Sequence, residues 1–191
     1  MNRRGGHSNQ LRVIGGQWRS RRLEFPDLPG VRPTPDRVRE TLFNWLAPML
    51  PGARCLDLFA GSGALGIEAL SRGAAEVVFV ERDPAAVRAL RDNLARLKAE
   101  NGRVELAEAL TWLRQPATPF EIVLLDPPFG AGLLEPVCAA LEAGGWLQAT
   151  AWIYLEAETG WRPASLPAHW MLYREKTAGM VAYRLARREP T

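Results

Sequence analysis

Asp126-Pro127-Pro128-Phe129 closes an apolar run, Ile122 to Asp126, that predicts a buried parallel strand. An acid, two prolines and an aromatic at the carboxyl end of such a strand suit the task of holding a planar amino group still. The carboxylate accepts a hydrogen bond from an exocyclic NH2. Pro127 has no N–H, so the backbone there offers a carbonyl acceptor and a rigid turn. Phe129 supplies a flat apolar face on which a nucleobase can stack. Taken alone, the tetrapeptide is equally an ordinary strand-ending turn.

A second motif upstream changes that balance. Asp57-Leu-Phe59-Ala-Gly61-Ser-Gly63-Ala-Leu-Gly66 lies between a predicted strand and a predicted helix. Gly61, Gly63 and Gly66 form a G-x-G-x-x-G, whose glycines let the backbone turn sharply and approach a nucleotide-like ligand. In a dinucleotide fold the same spacing brings a pyrophosphate to the helix N-terminus. A carboxylate at Asp57 repels a pyrophosphate and suits a cationic ligand with an amino group and a sulfonium, so the arrangement favours S-adenosyl-L-methionine over NAD. Val77 to Glu81 predicts a further strand ending in an acid, placed to bind ribose hydroxyls. Arg82-Asp83-Pro84 either helps frame the adenosine or only begins the next helix. Glu108-Ala109 follows the strand-like Arg103 to Leu106; it meets the adenine edge, or Glu108 is a solvated turn acid.

The chain has 191 residues, 47% of them hydrophobic, which predicts one domain with a real core and room for a small appendage. No apolar run of membrane length and no secretory h-region is present. Cys55 and Cys138 read as core-filling thiols of a reducing compartment, and the two histidines are too few for a metal cluster or a His-based triad. The net charge is +3, and 22 of the 24 basic residues are arginine. Nine arginines against three acids fall between Met1 and Arg39, so the positive excess is concentrated there. A local basic arm is the footprint of a phosphate-backbone partner, unless it is only a solvated tail. Trp18 lies in that arm and either contacts RNA or packs the hairpin; Trp45 and Trp112 read as core.

Met1 to Gln10 reads as a mobile polar end. Leu11 to Ile14, Gly15-Gly16 and Gln17 to Phe25 predict a β-hairpin turning at the glycines. Thr34-Pro35-Asp36 predicts a helix start with Thr34 as N-cap. Beyond it strands (Arg54–Phe59, Val77–Glu81, Arg103–Leu106, Phe120–Asp126, Ala151–Glu156) alternate with helices (from Ala64, Pro84–Lys98, Leu110–Arg114, Leu133–Ala143). His169–Glu175 and Met180–Leu185 form a closing antiparallel pair around Ala178-Gly179. The predicted fold is therefore α/β: a doubly wound, mostly parallel sheet with an antiparallel last hairpin. An N-terminal arm (1–33) precedes the main domain (34–191). Asp57, Glu81, Glu108 and Asp126 all fall at the carboxyl edge, where such sheets bind ligands.

The combination resembles the class I S-adenosylmethionine-dependent methyltransferases, with their Rossmann-like sheet. Asp57 to Gly66 is similar to their cofactor loop, Glu81 to their ribose acid, and Asp126 to Phe129 to the signature of exocyclic-amino methyltransferases. Leu11 to Arg19, Arg32 to Asn44 and Arg174 to Tyr183 resemble blocks of the RsmD family, the bacterial 16S rRNA guanine-N2 methyltransferases, and the likeness runs from about Leu11 to Arg188. The resemblance implies a seven-stranded sheet and methylation of one guanine of 16S rRNA, with the small ribosomal subunit as substrate rather than naked RNA. Asp126, Pro127, Pro128 and Phe129 are the expected catalytic residues. Asp57, Phe59, Gly61, Gly63, Gly66, Glu81, Arg82, Glu108 and Ala109 are expected at the cofactor. Arg12, Trp18, Arg19, Arg21, Arg22, Arg32, Arg37 and Lys176 are expected at RNA, Lys176 otherwise being merely solvated. The expectation is a cytoplasmic monomer without metal or membrane. Rival readings are a DNA adenine-N6 or cytosine-N4 methyltransferase, for which the chain has no spare target-recognition segment; an NAD dehydrogenase, opposed by Asp57; and a non-catalytic RNA-binding assembly factor, opposed by the intact Asp126–Phe129.

Overall fold

The structure, a computed structural model, describes residues 8–27, 34–162 and 166–190. Seven strands form one sheet in the order β5-β4-β3-β6-β7-β9-β8: β3 (Arg54–Asp57), β4 (Glu76–Glu81), β5 (Gly102–Leu106), β6 (Phe120–Leu125), β7 (Leu147–Glu158), β8 (Trp170–Ala178) and β9 (Val181–Arg188). β3 to β7 run parallel, and β9 and β8 are antiparallel to their neighbours. The chain winds outward from β3 to β5, then returns to place β6 on the other side of β3. This reversal is the crevice where doubly wound sheets take ligands.

The central strands are apolar throughout because both faces are covered. Alternate residues serve two cores. Cys55, Val77, Phe79, Ile122, Leu124 and Tyr154 face α1 (Asp36–Leu46), α2 (Ala64–Ser71) and α3 (Pro84–Leu97), whereas Leu56, Val78, Val80, Val123, Leu125 and Ile153 face α4 (Ala109–Trp112) and α5 (Leu134–Ala143). Trp45 stacks on Tyr183 at 5.5 Å, and Trp112 packs on Trp146 at 4.5 Å, so both fill the core as the sequence predicts. Among the described residues no helix is long and apolar enough to cross a membrane.

The N-terminal segment departs from its predicted form. Ser8 to Gln10, read as part of a mobile end, belong to β1 (Ser8–Arg12), which pairs with β2 (Arg22–Pro26); Met1 to His7 lie outside the described residues. Gly15-Gly16 is not a two-residue turn. The connection is longer because it docks on α2: the Ile14 and Gly15 amides donate to the Glu68 carboxylate at 2.9 and 2.7 Å, and the Trp18 amide donates to Ser71 Oγ at 3.0 Å. Gly16 has φ 77°, and a Cβ there would lie 1.8 Å from the Ser71 carbonyl oxygen. The hairpin's apolar face, with Leu11, Leu23 and Phe25, joins the core under the helices. The 33/34 boundary falls at the edge of residues not described.

Other differences are smaller. β7 is longer than the Ala151–Glu156 predicted, since antiparallel β9 extends its pairing through Glu158. The last hairpin turns at Gly179-Met180, where Gly179 takes φ 60°. Thr34 is not the N-cap of α1: that position is Pro35, with no side-chain cap bond. The Thr34 side chain is committed elsewhere, as described below.

Candidate active site

Four loops meet at the carboxyl edge. The Leu58 amide donates to the Leu124 carbonyl, the Ala60 amide to that of Val80, and the Ala107 amide to that of Glu81. These bonds place the glycine loop, Glu81, the Glu108 turn and Asp126 side by side.

Asp57, only 1% exposed, is the keystone of the glycine loop. Its carboxylate accepts the Gly66 amide at 2.9 Å, in the first turn of α2. It thereby takes one of the free helix amides that a dinucleotide fold offers to a pyrophosphate. Burial, reinforced by the Glu81 charge, raises Asp57 to about 7, against the opposing backbone bonds from Gly66 and Phe59. So Asp57 shapes the loop from beneath rather than presenting an open carboxylate. Gly61 and Gly63 adopt φ 52° and 80°. A Cβ on Gly66 would stand 2.2 Å from the Phe79 ring, so this glycine brings α2 close to β4.

Glu81 accepts the Gly61 amide on one oxygen and the Asp83 amide on the other, both at 2.8 Å. A carboxylate has about four lone-pair sites, so two remain for ribose hydroxyls. Asp83 caps α3 by accepting from Ala85 and Ala86, which makes Asp83-Pro84 a helix start; Arg82 beside it is exposed. Glu108 caps α4 through the Thr111 amide at 3.1 Å, so its side chain is a capping group, and buried Ala109 opens that helix. Phe59 is half-buried against the α4–α5 core.

Asp126 follows β6 directly and is half-buried; Pro127 is buried and Pro128 exposed. Phe129 is 47% exposed, an aromatic ring left without a full packing partner. Beside it lies a cavity of about 180 Å³ lined by Pro127, Pro128, Phe129, Glu156, Glu158 and Trp161 among others. Register explains the presence of Glu156: Leu125 pairs with Leu155 in parallel β6 and β7, so the next residues, Asp126 and Glu156, are neighbours.

Thr34 bridges the two acids. Its Oγ1 lies 3.2 Å from Asp126 Oδ2 and 3.4 Å from Glu156 Oε2, and Tyr154 donates to that same Glu156 oxygen at 2.6 Å. A threonine hydroxyl has one hydrogen, so both Thr34 contacts are hydrogen bonds only when one carboxyl carries a proton. Burial and repulsion by Glu156 hold Asp126 well above the usual carboxylate range, with the Thr34 bond opposing; burial also raises Glu156, against donation from Tyr154 and Thr34. Thr34 is itself positioned by Arg39, whose guanidinium donates to the Thr34 carbonyl at 3.2 Å, the Arg12 carbonyl at 2.9 Å and Asp36 at 2.6 Å. Arg39, counted in the basic arm from sequence, is 1% exposed and belongs to this internal frame.

The sequence marks Thr34 only as a helix cap and gives Tyr154 and Glu156 no role at the site. Glu156 carried the same signal as Asp57, Glu81 and Asp126, an acid ending a strand, but its partnership with Asp126 depends on strand order. Burial pushes the thiols up, Cys138 to about 12, which leaves neither cysteine suited to nucleophilic catalysis.

Of the residues expected at RNA, Arg12, Arg19, Arg21, Arg22 and Arg37 are exposed along the hairpin and the start of α1, with Arg12 paired to Asp36 at 2.8 Å. Lys176 is exposed on edge strand β8. Trp18 is 9% exposed and packs in the core, so of its two readings hairpin packing holds. Arg32 lies outside the described residues.

Comparison with known proteins agrees with this architecture. The family model described as "Conserved hypothetical protein 95" matches residues 11–187. Ribosomal RNA small subunit methyltransferase D of Escherichia coli K12 is 57% identical over 182 residues, 95% of this chain and 92% of that protein. The protein of the same name from Haemophilus influenzae is 45% identical over 92% of this chain and 93% of its own. The solved structure of E. coli yhhF matches with a TM-score of 0.90 at 56% identity, covering 96% of this chain and all of that one. At the level of fold alone, a 16S rRNA N2 G1207 methyltransferase of Thermus thermophilus, solved with AdoMet and guanosine, matches with a TM-score of 0.69 at 24% identity, over 97% of this chain and 50% of that one. The glycine loop, Glu81 and the Asp126–Phe129 corner thus sit in a chain that belongs to the RsmD family and shares the fold of solved methyltransferases.

Proposed function

We propose that this protein methylates the exocyclic N2 of one guanine in 16S rRNA within the small ribosomal subunit. The observation that carries the reading is the corner at the end of β6: a half-buried carboxylate, a carbonyl that Pro127 presents, and an aromatic ring 47% exposed beside a cavity. The relatives' names support rRNA of the small subunit as the substrate class. S-adenosyl-L-methionine, which the Gly61–Gly66 loop and Glu81 would hold, would supply the methyl group from its sulfonium, the C–S bond breaking to leave a neutral thioether.

The chain's own contribution is position and charge. The guanine amine is a poor nucleophile because its lone pair is delocalised into the ring. Asp126 and the Pro127 carbonyl accept its hydrogens, which favours a more pyramidal nitrogen and aims the lone pair outward. Phe129 stacks on the base, which must leave its helix to reach the corner. After transfer the nitrogen holds one proton too many; it is acidic and passes to Asp126 or water, so Asp126 need not be a strong base. The exposed arginines of the hairpin and α1 grip phosphates, with Lys176 a further contact on the far strand. The protein acts as a cytoplasmic monomer and uses no metal.

Replacing Asp126 with alanine tests the corner. The expected result is a loss of roughly a hundred-fold in turnover, the scale of lost positioning, with cofactor binding retained. Turnover within a few-fold of the wild type would show that the corner does not hold the amine.

A further inference from the structure

We infer that Glu156 is a specificity-determining residue that reads the ring N1–H of the target guanine while Asp126 holds its amine. This rests on the guanine-N2 reading above and deepens it. Glu156 is 4% exposed, yet it lines the cavity beside Pro127–Phe129. Among the described residues the donors that reach its carboxylate, Tyr154 and the hydroxyl Thr34 shares with Asp126, both meet Oε2. Oε1 receives none, and it is not among the sealed polar atoms that lack a partner. One oxygen is therefore anchored and the other is left for whatever enters the cavity.

The chemistry of base edges decides what that is. Guanine presents two adjacent donors, N1–H and the N2 amine. Adenine and cytosine each pair their amine with a ring nitrogen that accepts. A lone carboxylate at the amine does not separate these bases. A second carboxylate one strand over, anchored by Tyr154, matches guanine and opposes a ring acceptor with like polarity. Rejection by an unmatched buried polar group is the stronger form of discrimination. Burial and the two donors on Oε2 act in opposite directions on Glu156, the donors favouring the acceptor form. The groups facing the pair are Asp57 from β3, Thr34 before α1 and Tyr154 from β7, with Tyr183 from β9 acting on Tyr154.

The test uses small subunits reconstituted with guanine or 2-aminopurine at the target position. 2-Aminopurine keeps the amine but has an accepting N1. Wild-type protein and Glu156→Gln are compared by kcat/KM on both. Loss of one hydrogen bond to a charged group corresponds to roughly ten- to a hundred-fold, so the wild type should favour guanine by that factor. Glu156→Gln, whose amide can turn a donor toward an accepting N1, should shrink or reverse the ratio. Binding of S-adenosylmethionine by the variant, measured by calorimetry, should match the wild type and shows that it is folded. An unchanged ratio with N2-methylguanosine still formed overturns the inference alone; no N2-methylguanosine from the wild type overturns the guanine reading and the inference with it.

Discussion

Thr34→Val removes one oxygen from the active site with little change of shape, and its consequences can be worked from the contacts. Thr34 is 5% exposed, so the variant opens no solvent path. The hydroxyl lies 3.2 Å from Asp126 and 3.4 Å from Glu156, and its one hydrogen, given to either acid, opposes the burial that raises it. Without it both rise further. Asp126 accepts from the amine as a carboxylate, so activity is lost as pH falls through its value, and raising that value moves the acid limb of the kcat/KM profile to higher pH. A hydrogen bond to a charged group contributes about 1.5–3 kcal/mol, so kcat/KM near neutrality should fall by roughly ten- to a hundred-fold. The deficit should shrink above the shifted limb. Initial rates with labelled cofactor across pH read this directly, with urea unfolding to check the fold. Thr34→Ser keeps the hydroxyl and should restore the limb. An unmoved limb with kcat/KM within twofold of the wild type would refute the coupling of the two carboxylates through Thr34.

Two further outcomes follow from the same structure. Asp57 stands at about 7 in the folded chain and near 3.8 when unfolded, so between those values the folded state binds the extra proton and this group's contribution to stability declines as pH rises, reaching its full cost above about 7. Relative to wild type, Asp57→Asn should therefore gain on going from pH 5 to pH 8, by at most about 3 kcal/mol; a pH-independent difference in urea midpoints would contradict the buried charge. Replacing Arg19, Arg21 and Arg22 with alanine should weaken binding to the subunit and reduce the log–log salt slope by about two to three units, whereas an unchanged slope would remove those residues from the interface.

Much of this was legible in the sequence because its signals are local. Apolar runs such as Ile122 to Leu125 mark strands buried on both faces, and Pro84 after Asp83 marks a helix start. An acid ending a strand marks the ligand edge wherever the sheet is parallel. What escaped depends on which elements become neighbours. Thr34 reads as a helix cap until Asp126 and Glu156 are seen to converge on its hydroxyl. Gly15-Gly16 reads as a tight turn until Glu68 and Ser71 of α2 appear beneath it. Arg39 reads as surface charge until the buried Glu68, 3.7 Å away, and three hydrogen-bond acceptors surround it. Trp18 reads equally as an RNA contact or as hairpin packing until its ring is found in the core.

The central claim is methylation of guanine N2 in the small subunit. Purified protein, labelled S-adenosylmethionine and small subunits lacking their modifications, run beside naked rRNA and duplex DNA and digested to nucleosides for mass spectrometry, test it most directly. The account predicts N2-methylguanosine from the subunits alone. Label recovered as N6-methyladenine or N4-methylcytosine from DNA, or no label despite bound cofactor, would contradict it.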